Sequence, residues 1–100
     1  MTLGERANYI RSKNAGPFWM TIDIFCGSDA AYDQIGKSEA LSPESIAGIF
    51  KTNAEAVRRF DIPALHVIKI SMPRPYPQGS RHERDIHSGQ QYVQILDLEL

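Results

Sequence analysis

The stretch Phe18-Trp19-Met20-Thr21-Ile22-Asp23-Ile24-Phe25 sets the architecture expected of the chain. Every second residue from Met20 to Ile24 is apolar, and Thr21 and Asp23 occupy the positions between them. Alternation with a period of two is typical of a β-strand that buries one of its faces. We therefore predict a half-buried strand over residues 18–25, with Asp23 on its less apolar face.

Before this strand, the residue pattern changes to that of a helix. Thr2 and Glu5 form a capping box, in which each side chain accepts a hydrogen bond from the other residue's backbone N–H group. The apolar residues at helical spacing are Leu3, Ala7 and Ile10. We predict a short helix from residue 3 to about residue 12, which brings Arg11 to its end. There Asp23 can form an ion pair with Arg11 or orient a ligand amine, although a solvent-exposed Asp23 is the simpler interpretation.

Two further helices are predicted after the strand. The run Gly27-Ser28-Asp29 turns the chain and caps a helix that runs through Ile35, and Gly36 weakens or ends that helix. Ser42 stands directly before Pro43, and proline is accepted at the first helical position because its missing N–H group has no partner there. The buried stripe of this second helix is Ile46, Ile49 and Phe50.

The remaining segments have the patterns of turns and extended chain. Residues 54–57 predict one more turn, and residues 58–60 a short edge strand. Residues 64–72 are rich in β-branched side chains and predict a strand that ends at a proline. Residues 73–91 contain three prolines and two glycines and predict one long loop, either functional or disordered. Residues 92–100 alternate again and predict a final strand. Its core side carries Leu96, Leu98 and Leu100.

This order of elements predicts a single α+β domain over residues 1–100, with helices on one face of a mainly antiparallel sheet. A chain of 100 residues buries enough apolar surface to fold, but it is too small to enclose a large substrate unaided. A partner subunit is therefore worth considering from the composition alone.

Composition and charge argue against several classes of protein. Eleven Lys and Arg residues against twelve Asp and Glu residues leave a formal charge of −1, and the basic residues are scattered, so we expect no nucleic-acid partner. No apolar run approaches the ~20 residues of a membrane span, and the first residues lack a secretion signal, so we expect a cytoplasmic protein without a membrane partner. The single cysteine, Cys26, has no Cys or His at a metal-ligand spacing. We interpret it as a small residue at the end of a strand and expect no metal.

The polar run Arg11-Ser12-Lys13-Asn14-Ala15-Gly16-Pro17 has two interpretations. Two cations, a hydroxyl, an amide and a glycine can surround an anion with positive charge and backbone N–H groups. Alternatively, the run ends a helix, and Arg11 and Lys13 face the negative end of its dipole. Asn14 or Gly16 then takes the left-handed cap. Taken alone, these residues favour the helix end.

Other candidate groups lie further along the chain. Arg74 is held between two prolines at the end of a strand, and Gln90 and Gln91 offer amide donors and acceptors before the last segment. His82 and His87 are the acid–base side chains of the long loop, but no motif places them. The chain lacks a phosphate-binding loop, a Ser-His-Asp pattern and a paired-carboxylate signature. Self-contained catalysis is therefore unsupported.

A resemblance to a known family covers nearly the whole chain. It rests on Ile10 to Pro17, Thr21-Ile22-Asp23, Ala64-Leu65, Lys69, Pro73-Arg74-Pro75, Gly89-Gln90-Gln91 and Leu96-Asp97-Leu98. These motifs resemble an uncharacterised family of stand-alone proteins of about this length, typically encoded beside a larger protein similar to the N-terminal part of the acyclic terpene utilisation protein AtuA. The chain also resembles the small C-terminal domain of AtuA-type proteins, which is described as ferredoxin-like. It departs from that domain at Lys13-Asn14, which replace a Gly-Asp pair, and at Tyr92, which replaces an expected His.

The resemblance implies a small ferredoxin-like domain that serves as an accessory subunit of a hetero-oligomeric metabolic enzyme with an AtuA-like large subunit. That enzyme would act on a carboxylate or acyl-thioester metabolite as a hydratase or lyase. Whether the chain is active alone, and which catalytic residues and cofactors take part, stays open. The residues implied in binding a ligand or partner are Arg11, Ser12, Lys13, Asn14, Gly16, Arg74, Gln90 and Gln91.

Two functions from other classes also stay open. The chain can be a homo-oligomeric structural or regulatory module that binds a small anion without catalysis. It can also be an independent small enzyme that uses His82 or His87.

Overall fold

The structure, a computed structural model, describes residues 1–16, 18–73 and 91–100, the last range without the Gln91 side chain. In these ranges, four strands form one antiparallel sheet in the order β1-β2-β4-β3. The strands are β1 (Tyr9–Asn14), β2 (Trp19–Phe25), β3 (Arg58–Ile62) and β4 (Val67–Pro73). A strand is confirmed in the range 18–25, at the centre of the sheet beside β4, but it is not half-buried, because Met20–Ile24 are buried on both faces.

One face of the sheet, the inner face, carries the apolar core. Met20, Ile22 and Ile24 of β2 are fully buried there. They pack with the buried side chains of three α-helices, α1 (Leu3–Arg6), α2 (Asp29–Lys37) and α3 (Pro43–Phe50). Four 3-10 turns complete the described elements, at Glu39–Leu41, Ala54–Ala56, Pro63–Leu65 and Gln91–Ile95. The protein is thus the predicted α+β domain, consistent with a ferredoxin-like α+β fold.

The two predicted helix starts are confirmed by their caps. Ser28 Oγ accepts a hydrogen bond from the N–H of Ala31 at 3.1 Å, and Ser42 Oγ accepts one from the N–H of Ser45 at 3.2 Å. These serines satisfy N–H groups that a helix start leaves without partners. Pro43 takes the first helical position as predicted. Within the described ranges, every helix is too short or too polar to cross a lipid bilayer.

Arg59 of β3 anchors the end of α2 to the sheet. Its Nη2 atom donates to the carbonyl oxygen of Gly36 at 2.8 Å, and its Nη1 atom donates to that of Leu41 at 3.3 Å. Its Nε atom donates to Asp61 Oδ1 at 2.8 Å. A cation at the end of a helix binds carbonyl groups that lack partners within the helix. Gly36 therefore lies inside α2, which continues to Lys37.

The helix predicted from residue 3 to about residue 12 is wrong beyond its first turn. The Thr2–Glu5 capping box is present, but α1 ends at Arg6 and the chain is extended at Ala7. Ile10 then pairs with Ile24 across the β1–β2 ladder and is buried. The apolar spacing that predicted one helix is met equally by a single helical turn followed by a strand.

The strand predicted over residues 92–100 is also wrong. The segment begins with a 3-10 turn and makes one isolated bridge, between Thr2 and Glu99. The carbonyl oxygens of Leu96 and Leu98 accept hydrogen bonds from the N–H groups of Gly4 and Leu3, at 2.9 and 2.8 Å. The first turn of α1 leaves these N–H groups free, so the last segment completes a helix start instead of a sheet. Its leucines do pack against the core as expected.

Candidate functional site

The polar run at Arg11 lies in a strand and not at the end of a helix. Arg11 and Lys13 are exposed, whereas the residue between them, Ser12, is buried on the inner face. The helix-end interpretation of this run is therefore wrong. Ser12 Oγ accepts a hydrogen bond from the N–H of Tyr92 at 3.1 Å. Asn14 shares the inner side of β1, so the strand separates the two cations from the two uncharged polar residues.

Gly16 lies in the turn between β1 and β2. Its φ of +91° is a conformation that residues with a Cβ atom rarely adopt, which explains the glycine. The N–H of Ala15 donates to the carbonyl of Trp19 at 2.9 Å and closes the turn. Pro17 lies outside the described residues. Gly16 is thus required by the hairpin, whatever else the turn does.

The side of the sheet opposite the core is called the outer face. It consists of the odd-numbered residues of β1, β2 and β4 and the even-numbered residues of β3, as the strand registers require. Its cations are Arg11, Lys13, Arg58 and Lys69. Its one acidic residue is Asp23, so four positive charges against one negative leave a formal charge of +3 on this face. The whole chain, by contrast, carries −1.

Asp23 lies between two of these cations. Arg11 Nε is 3.3 Å from Asp23 Oδ2, and Lys69 Nζ is 3.9 Å from Asp23 Oδ1. The Asp23 side chain is 4% exposed, whereas those of Arg11 and Lys69 are 49% and 39% exposed. The simpler interpretation of Asp23 as a solvent-exposed residue is therefore wrong, and the ion pair with Arg11, the alternative to it, is present. A buried carboxylate needs paired charge, and Arg11 supplies it through a hydrogen bond to Oδ2. Asp23 Oδ1 is buried without a hydrogen-bond partner in the described structure, and Lys69 lies at ion-pair distance from it.

The next row across the outer face carries two hydroxyl groups between two cations. Lys13 pairs with Thr21, Thr21 with Ser71, and Ser71 with Arg58. We call these four residues the hydroxyl row. Thr21 is 8% exposed, and its buried Oγ1 atom has no hydrogen-bond partner in the described structure. An unpaired buried hydroxyl is unfavourable by about 1–3 kcal/mol.

Aromatic side chains flank the cations of the outer face. The rings of Tyr9 and Phe25 lie with their centroids 5.4 Å apart, and Arg11 Cζ is 5.3 Å from the Phe25 centroid. Arg58 Cζ is 6.0 Å from the centroid of Trp19. Both are cation–π distances. Tyr9 and Phe60 are 55% and 50% exposed, so the face combines positive charge with accessible apolar surface.

Several predicted site residues cannot be placed against this face. Arg74 and Gln90 lie outside the described residues, and so does the side chain of Gln91. The loop histidines His82 and His87 lie outside them as well. Of the predicted binding residues that the structure does describe, Arg11 and Lys13 lie on the outer face.

Sequence reasoning missed the hydroxyl pair formed by Thr21 and Ser71. Each is an ordinary polar residue between apolar neighbours of a strand, and only the register of β2 against β4 places them side by side. It also missed the contact between His66 Nε2 and Asp29 Oδ1, which are 2.6 Å apart and join the start of α2 to the sheet. No local pattern in the sequence indicates the register of β2 against β4 or the contact between His66 and Asp29.

Cys26 is buried at the end of β2, as predicted, and is 3% exposed. Burial raises the pKa of its thiol, which disfavours the thiolate that a nucleophile needs. In residues 1–16, 18–73 and 91–100, no three His, Cys, Asp or Glu side chains come together in a way that could hold a metal ion.

Comparison with known proteins gives a family and no named relative. No curated protein and no solved structure matches the chain. The model of a family described as a domain of unknown function, DUF4387, matches residues 3–99. That range holds every strand and helix described above. The chain therefore belongs to the DUF4387 family.

Proposed function

We propose that this chain is a small accessory subunit of a hetero-oligomeric metabolic enzyme whose large subunit is AtuA-like. The large subunit would handle a carboxylate or acyl-thioester metabolite, in a hydratase or lyase reaction. The sequence resemblance suggests the partner. The observation that carries the proposal is the outer face, where cations and exposed aromatic rings lie opposite the core.

The charge of the outer face suits an anionic metabolite. Asp23 accepts a hydrogen bond from Arg11, so this cation is held in place before a ligand arrives, and Lys69 adds positive charge beside it. The guanidinium of Arg11 is half exposed and keeps N–H donors for a carboxylate. Lys13 adds a further cation on the same strand face.

A missing partner accounts for the incomplete chemistry of this face. Its carboxylate is ion-paired, and among residues 1–16, 18–73 and 91–100 its hydroxyls lie beside cations and not beside a histidine or free carboxylate. Nucleophilic or acid–base catalysis by a hydroxyl needs such a base within hydrogen-bond reach. The proposal assigns the reacting groups to the large subunit and the binding of negative charge to this chain.

Exposed aromatic residues give the large subunit a surface to pack against. Tyr9 lies on edge strand β1 and Phe60 on edge strand β3, on either side of the central cations. Aromatic residues and arginine are enriched in protein interfaces. The metabolite would then bind between the subunits, in the cytoplasm.

Co-expression with the neighbouring AtuA-like protein tests the proposal. We expect one complex on gel filtration, which Phe60→Ala weakens. Leu65→Ala is the matched control, because Leu65 is an exposed apolar residue outside the strands. Separate elution of the two proteins across concentrations would overturn the proposal.

The alternative is a homo-oligomeric anion-binding module without catalysis. Two copies that covered each other's outer face would bring together two surfaces of +3 charge, which is unfavourable. This repulsion favours a different partner. Sedimentation of the isolated chain separates the two functions, because a stable oligomer that buries Tyr9 would support the module.

A further inference from the structure

We infer that the hydroxyl row is a binding site for one oxyanion, a carboxylate or phosphoryl group. The bound oxyanion accepts hydrogen bonds from Thr21 and Ser71 and lies between Lys13 and Arg58. The inference deepens the proposed function, since it places the acidic group of the ligand. It rests on that function for the ligand's biological role but not for its test, which uses the isolated chain.

The strand registers bring the two hydroxyls together. Thr21 and Ser71 are direct partners in the antiparallel β2–β4 ladder, on the same face. Side chains of direct partners begin about 4.5–5.5 Å apart at their Cβ atoms. Each hydroxyl can therefore donate to a different oxygen of the same oxyanion.

The Thr21 hydroxyl is the observation that points to a ligand. Its Oγ1 atom is buried and has no hydrogen-bond partner in the described ranges. Buried side-chain polar atoms in native proteins have a partner in the large majority of cases, and an orphan therefore needs an explanation. An oxyanion over the hydroxyl row supplies the missing acceptor. Ser71 is half-buried beside it and offers the second donor.

Charge separates this row from the neighbouring one. In the neighbouring row, the carboxylate of Asp23 lies between Arg11 and Lys69 and would repel a second anion. The hydroxyl row has cations at both ends and no acidic residue. The Trp19 ring, 6.0 Å from Arg58 Cζ, holds the guanidinium on this face.

Titration of the ¹⁵N-labelled chain tests the inference, with chloride keeping the ionic strength constant. One arm uses inorganic phosphate and the other uses acetate. We expect saturable amide chemical-shift changes centred on Thr21 and Ser71 with at least one of the two anions. The anion with the lower dissociation constant identifies the acidic group of the ligand as phosphoryl or carboxylate. Absence of saturation at these residues in both arms would overturn the inference.

Thr21→Val distinguishes a ligand site from a structural hydroxyl. We expect the dissociation constant for the bound anion to rise about tenfold or more, because a hydrogen bond to a charged acceptor is lost. The melting temperature should rise or stay unchanged, because valine keeps the shape and removes an unpaired buried hydroxyl. Thr52→Val, at a half-buried threonine after α3, is the control and should leave anion affinity unchanged.

Ser71→Ala provides a second variant, which should also weaken binding. An unchanged dissociation constant for the anion in a folded Thr21→Val protein would contradict an oxyanion site at the hydroxyl row. If the chain binds the anion but forms no complex with the AtuA-like protein, the proposed function is overturned and the oxyanion site is not. If the complex forms but the small subunit binds neither anion, the oxyanion site is overturned and the proposed function is not.

Discussion

Arg11 and Asp23 form an ion pair across the β1–β2 ladder, with Nε and Oδ2 3.3 Å apart and the carboxylate almost wholly buried. Substituting Asp23→Asn leaves Arg11 and Lys69 facing each other without the charge between them. We expect a loss of about 1 kcal/mol of stability, since both cations are partly solvated. In a domain of this size, that lowers the melting temperature by about 4–8 °C.

Thermal denaturation followed by circular dichroism measures this effect, and the loss should be smaller in high salt. Asp97→Asn removes an exposed carboxylate elsewhere and serves as the control. A variant at Asp23 as stable as the natural protein in low salt would show that the pair contributes nothing.

Arg59 is expected to be the most sensitive arginine of the described chain. Lysine at this position keeps the charge but cannot reach Gly36, Leu41 and Asp61 at once, as the guanidinium does. We expect Arg59→Lys to destabilise the protein by about 1–3 kcal/mol in urea unfolding. Arg6→Lys is the control, because Arg6 makes an exposed bond to Gln34. Equal effects of the two changes would argue against the anchoring role.

The pKa of Cys26 predicts how stability depends on alkaline pH. Burial raises this pKa above its ordinary value of 9.0, so the folded protein keeps a proton that the unfolded chain loses. Below pH 9 the thiol is protonated in both the folded and the unfolded protein, so its full contribution to the stability of the folded state is present. As the pH rises further, the unfolded chain loses this proton first, and the stability falls. Urea unfolding between pH 8 and 10 should show this fall, and Cys26→Ala should reduce it. An identical fall in both proteins would assign it to other groups.

Gly16 and Gly27 form a matched pair for substitution by alanine. Both have a positive φ, of +91° and +90°, but a Cβ atom at Gly16 meets nothing within 4 Å. At Gly27 it would lie 2.9 Å from Asn8 Cβ. We expect Gly16→Ala to lose about 1–2 kcal/mol from backbone strain alone, and Gly27→Ala to lose more. Chemical denaturation of both variants decides the order, and a reversed order would contradict the steric argument.

The sequence predicts the parts of this fold that depend on local chemistry. Period-two alternation identifies β2, and Ser28 and Ser42 mark the starts of α2 and α3. These features need no knowledge of distant residues. The Arg11–Asp23 contact is an alternative that the sequence leaves open, but the preferred interpretation places Asp23 in solvent and Arg11 at the end of a helix, and both of these are wrong.

The errors arise where distant segments decide the structure. Residues 8–14 pair with β2, and residues 96–98 pair with the start of α1, so backbone hydrogen bonds override the local pattern in both places. The Thr21–Ser71 pair depends on the register between strands that are far apart in sequence. Local residue patterns do not encode that register.

The alternation of β1 makes the chemistry of the outer face depend on an unbroken strand between Ile10 and Lys13. Inserting one residue between Ser12 and Lys13, with the turn and the pairing of Lys13 kept, would move Arg11 to the buried position of Ile10 and Ser12 to the exposed position of Arg11. One added residue inside the strand would therefore exchange a cation for a hydroxyl on the outer face, whereas the same residue added in the turn leaves both faces as they are.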